Sequence, residues 1–133
     1  MIKINATTPL IFYAFESVYV PGEGYTSTWN KFVSDGNEVF WAEWKGGYGD
    51  RAIAAQAQGV GDMATVRTFY IPTLYEKLRT KRVVVIKNAD ATAIKDNVPD
   101  KDNANCYELW GGVDNIGEAN QFMEFRVKRV EQI

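Results

Sequence analysis

The side chains able to do chemistry in this chain are few, and histidine is not among them. Without imidazole the chain lacks the commonest general base near neutral pH, the usual partner of a nucleophilic Ser or Cys, and the commonest metal ligand. Paired carboxylates need no histidine, so Glu38 with Glu43, and Asp100 with Asp102, are the acid–base candidates. The first pair has an odd separation along a strand and faces opposite sides, and the second lies in a polar connection that does not fix its geometry. Residues 100–105 (DKDNAN) offer oxygen ligands for calcium but lack the glycine and terminal glutamate of an EF-hand loop, and read as an acidic surface loop. The run GGYGD from Gly46 invites comparison with a phosphate-cradling loop, yet no lysine–hydroxyl pair follows, and it reads as a hinge. Cys106 is the only cysteine; at a strand start it reads as a small buried hydrophobe, excludes an internal disulfide and suits a reducing cytoplasm. The expectation is a protein that is not an enzyme and holds neither metal nor cofactor.

The elements that position these residues are mostly short β-rich runs. At 133 residues the chain has the size of one domain, spanning 1–133, and its core should bury roughly two thirds of the surface of the unfolded chain. With 14% aromatic residues, Trp29, Trp41, Trp44 and Trp110 are expected to anchor packing. Residues 10–19 read as a strand stopped by the PGEG turn from Pro21, and residues 26–33 as a weaker strand closed by SDGN from Ser34. In the next run Phe40, Ala42 and Trp44 alternate with Val39 and Trp41, so both faces should be covered, one by a neighbouring copy. Residues 50–58 read as a short helix that Asp50 can cap and Gly59 can end.

Residues 64–71 form a further strand ended by Pro72, and 74–80 a helical turn or loop. Residues 81–87, centred on Val83 to Ile86, are the next strand, and the polar stretch 88–105 is expected to be a mobile insertion. Residues 106–110 resume the sheet, GGVDN from Gly111 turns the chain, and 121–130 close it with Met123, Phe125 and Val127 facing the core. The predicted fold is mainly β: a small antiparallel β-barrel or sandwich with one short α-helix.

Net charge is −2 with a pI near 5.2, which disfavours a protein that grips nucleic acid by neutralising phosphates. Charge is uneven along the chain. Lys77, Arg79, Lys81, Arg82 and Lys87 crowd one stretch, and Asp90, Asp96, Asp100, Asp102, Glu108, Asp114 and Glu118 dominate the next. Such asymmetry either pairs one copy with its neighbour or forms a solvated face. The apolar run 10–15 is too short for a signal segment and no stretch approaches about 20 apolar residues, so a soluble, intracellular, non-membrane protein is expected.

The run VFWAEW from Val39, TVR from Thr65, YELWGGVDNI from Tyr107 and NQFMEFRVKRV from Asn120 occur in an order that resembles the bacteriophage head-tail joining (head closure, or head-tail adaptor) family. The resemblance covers residues 39–133 and leaves 1–31 unmatched; the stretch 88–105 is longer than the corresponding connection in that family. It implies a small β-barrel with a short helix, assembled as a homo-oligomeric ring between portal and tail in the virion, after assembly in the bacterial cytoplasm. The implied partners are other copies of itself, the portal or adaptor protein, tail proteins, and double-stranded DNA passing without sequence specificity.

The resemblance also implies that residues 45–62 project toward the channel, with Lys45, Gly46, Gly47, Gly49, Asp50, Arg51, Gln56, Gln58, Gly59 and Gly61 as candidate channel-loop residues. The glycines would let the segment swing. Candidate subunit contacts are Lys77, Arg79, Lys81, Arg82, Asp96, Asp100 and Asp102, and charge reversal at Lys81 and Arg82 is expected to spare the fold while impairing joining. Two rivals remain: an oligonucleotide-binding-type barrel stacking bases on Tyr48, Phe69 or Trp110, and a tail-side joining or terminator subunit.

Overall fold

Leu10, Phe12 and Ala14 are spaced two apart and all buried, so the first strand commits one face to the interior. The structure, a computed structural model, describes residues 3–46 and 63–133. Within them the long strands are β1 (Thr8–Val20), β2 (Gly24–Lys31), β3 (Phe40–Gly46), β4 (Met63–Phe69) and β5 (Arg82–Lys87). A short pair follows, β6 (Ile94–Lys95) and β7 (Val98–Pro99), and then β8 (Cys106–Asn115) and β9 (Phe122–Arg129). The sheet order is β2-β1-β3-β4-β9-β8-β5, and β5 pairs back onto β1, so antiparallel ladders form a ring through six strands. Ring closure leaves those strands no free edge along their paired lengths.

The helix α1 (Pro72–Thr80) occupies the stretch read as a helical turn or loop. Pro72 suits its first turn, where no amide donor is needed, and Leu74 and Leu78, four apart, put one face into the interior. The helix expected over residues 50–58 lies outside the described residues. Inside the ring, Leu74 and Leu78 meet Phe12, Phe40, Val66, Val85, Met123 and Phe125. Phe12 and Phe125 meet edge-on at 6.1 Å, and burying such a ring contributes about 2–3 kcal/mol.

Residues 88–105 are folded, not the mobile insertion their polarity suggests. Asp90 organises them: its carboxylate accepts from Thr92 N (3.0 Å) and Thr92 Oγ1 (2.6 Å) with one oxygen, and from Asn105 Nδ2 (3.0 Å) with the other. These donors hold its carboxyl down at about 2. Asp96 and Asn97 take the positive φ values of a tight turn between β6 and β7. The segment contributes Ala93 and Ile94 to a second apolar cluster with Tyr13, Trp29, Val84, Ile86, Cys106 and Val130. Apolar residues on the outward face of β1 and β5 thereby become core.

Two further expectations change. Gly111 does not end the strand: β8 runs on to Asn115, and two extra residues bulge out between the Leu109–Val127 and Val113–Phe125 pairs, with Gly111 at φ 88°. Of the four tryptophans, Trp29 is buried and Trp44 stacks edge-on against Tyr107 at 4.9 Å, whereas Trp41 and Trp110 are 51% and 45% exposed.

Candidate functional site

β3 covers only one of its two apolar faces. Phe40 and Ala42 are buried, while Trp41 points outward. Register then aligns it with other aromatics. Ala42 pairs with Thr68, which sets Trp41 beside Phe69, and Phe69 pairs with Phe122 with ring centres 5.6 Å apart. Thr68 Oγ1 donates to Trp41 O at 3.0 Å, so the one buried polar side chain among the described residues locks this edge of the row. The next outward row is charged: Glu43 lies opposite Arg67, and Arg67 Nε donates to Glu124 Oε2 at 2.8 Å. An aromatic row therefore borders an ion-paired one.

Beside the row is a groove of about 540 Å³ between the 34–39 connection and the turn from β4 into α1. Val39, Trp41, Phe69, Ile71 and Pro72 give it apolar walls, and Ser34, Asn37 and Thr73 a polar rim. The turn that forms one wall is the SDGN signal read from sequence, with Asp35 at φ 50° and Gly36 at φ 79°, and Ser34 and Asn37 hydrogen-bonded both ways. Sequence reasoning missed Phe122 and the groove; the doubly apolar pattern of residues 39–44 was the signal.

A second exposed feature is an arm. β5 pairs with β1 only as far as Phe15, after which residues 16–20 and 24–28 pair only with each other. On one face of this ribbon Tyr19 and Tyr25 meet at 5.5 Å, 61% and 79% exposed, and the Ser17 and Ser27 hydroxyls lie 3.2 Å apart.

The charged candidates are largely engaged within the subunit. Lys77 Nζ lies 2.8 Å from Glu16 Oε2 and Arg79 Nη1 3.6 Å from Glu76 Oε2. Arg82 contacts Glu108 at 3.3 Å, donates to Gln132 O, and lies over the Trp29 ring. Lys81 is exposed. Asp100 is held below its ordinary value, first by the Asp102 amide and then by Lys95, 3.1 Å away, while Asp102 pairs with Lys101 and Asp96 sits in the β6–β7 turn. The basic and acidic segments are not brought together as one paired surface by any of these contacts.

Of the channel-loop candidates, Lys45 lies 3.9 Å from Glu43 and Gly46 ends β3 paired with Ala64. Gly47, Gly49, Asp50, Arg51, Gln56, Gln58, Gly59 and Gly61 lie outside the described residues, as does Tyr48. Each carboxylate of the two candidate pairs has its own lysine: Glu38 lies 3.7 Å from Lys31, Glu43 3.9 Å from Lys45, and Asp100 and Asp102 each 3.1 Å from Lys95 and Lys101 respectively. No group of metal-ligating side chains is found among the described residues, and no described helix is long and apolar enough to cross a membrane. Cys106 is fully buried, and burial pushes its thiol up to about 11. No protein-family model and no curated protein matches the chain.

Proposed function

We propose that this chain is a head closure subunit of a tailed phage, acting without catalysis as one copy in a ring between portal and tail through which DNA passes. The observation that carries the reading is where the motif-bearing stretches fall. They lie in β3, β4, β9 and β8, four consecutive strands of the ring, so residues scattered along the sequence form one continuous surface. The proposed channel segment is anchored at adjacent points, Gly46 and Met63, because Gly46 pairs with Ala64. The aromatic row on β3, β4 and β9 offers an uncovered face for another subunit, in line with the neighbouring copy expected from the apolar pattern of residues 39–44.

Electron microscopy of the purified protein mixed with portal-bearing heads tests the reading. Added ring density beneath the portal is expected; heads that stay unchanged at saturating protein overturn it. The exposure of Phe69 and Trp110 also suits the oligonucleotide-binding rival, although Arg67 beside Phe69 is neutralised by Glu124. A salt-sensitive gel shift with single strands would favour that rival.

A further inference from the structure

The arm and the groove are the two most conspicuous uncovered features among the described residues, and they differ in shape. The arm is a knob. Pro21, Gly22 and Gly24 form its tip, serines and threonines line its flanks, and Tyr19 and Tyr25 stand out from one face. Such a two-stranded ribbon is marginal by itself and gains stability when its face is packed. The groove is an open socket of about 540 Å³, within the range of about 300–1,000 Å³ of small-ligand pockets.

From this we propose that the arm of one copy seats Tyr19 and Tyr25 in the groove of the next copy. Chemistry favours tyrosine there: the ring bodies cover Trp41, Phe69 and Pro72, while the phenol hydroxyls reach the Ser34, Asn37 and Thr73 rim. The contact joins two different surfaces, so it is heterologous, and repetition of a heterologous contact closes a ring when the rotation permits.

Tyr19, Tyr25, Trp41 and Phe69 are between half and four-fifths exposed, which puts the apolar area they can bury on the order of 500 Å². That is below the roughly 1,200 Å² of a stable standard interface. Two free subunits associate weakly, and the contact strengthens when each copy uses both its arm and its groove on a scaffold. The inference deepens the head closure reading and takes the ring from it.

Photo-cross-linking decides the contact. The Tyr25→benzoylphenylalanine protein is mixed as light- and heavy-nitrogen-labelled copies, irradiated at high concentration and on portal-bearing heads, and digested for mass spectrometry. Mixed-label cross-links to peptides carrying Trp41 or residues 69–73 are expected. Cross-links confined to one copy, from arm to arm, to portal alone, or no cross-link at all, overturn the proposal. The Tyr19→Ser/Tyr25→Ser variant changes no residue of either apolar cluster, so it should unfold close to the parent melting temperature and lose roughly tenfold or more of assembly, as expected on removing packed aromatic anchors. Rings on heads with cross-links outside the groove sink this contact and leave head closure standing. Groove cross-links without binding to heads do the reverse.

Discussion

Lys77 Nζ sits 2.8 Å from Glu16 Oε2 and ties α1 to the root of the β1–β2 arm. The Lys77 hydrogen bond holds the Glu16 carboxyl below its ordinary value, against the opposing effect of burial. Both side chains are less than one third exposed, so water screens the pair only partly. Lys77→Met should cost about 1 kcal/mol, and a double-mutant cycle with Glu16→Gln should recover a favourable coupling in urea titrations. Additive single changes would show that the pair holds nothing.

Lys81 and Arg82 are adjacent in sequence but not equivalent. Arg82→Glu places a second carboxylate beside Glu108 and removes the cation over Trp29, so its melting temperature should fall. Lys81→Glu should leave it close to the parent. Joining assays on the double reversal would therefore confound folding with assembly, and Lys81→Glu alone is the informative variant.

Asp90 makes residues 88–105 sensitive to acid. Its folded-state pKa, about 2, lies below the ordinary 3.8, so its contribution is fully present above about pH 4 and is lost as pH falls toward 2. Asp90→Asn should lower the melting temperature at neutral pH, and the gap to the parent should narrow between pH 4 and pH 2. A gap that does not change with pH would separate the carboxylate charge from the fold of this segment.

Cys106 should be inert in the folded protein, because burial removes access and keeps the thiol protonated. Ellman's reagent at pH 8 should label it slowly, and urea should accelerate labelling in step with unfolding. Prompt reaction in native buffer would contradict the packing of the outer cluster.

Gly111 occupies φ 88°, a region that costs L-residues strain, and a Cβ there meets no neighbour within 4 Å. Gly111→Ala should destabilise by about 1 kcal/mol through backbone strain alone, whereas Gly112, which has no positive φ, should tolerate alanine better. Chemical denaturation of the two variants gives the comparison.

Strand positions were legible because their cause is local. Met123, Phe125 and Val127 alternate with charged residues, and that period of two is visible without knowing the partner strand. The reach of β8 was not, because Gly111 and Gly112 serve equally as a turn or a bulge, and pairing with β9 decides between them. The polarity of residues 88–105 suggested mobility because the Asp90 network joins side chains up to 15 positions apart, and no short window of sequence contains it.

Residue types alone determined that this chain lacks imidazole chemistry, builds mainly β-strands and carries a single cysteine, since those are properties of side chains and of nearest neighbours. Tertiary structure alone decided which apolar faces are covered. Val84 and Ile86 became core beneath residues 88–105, while Trp41 and Phe69 stayed outside, because burial depends on what is brought over a face from elsewhere in the chain.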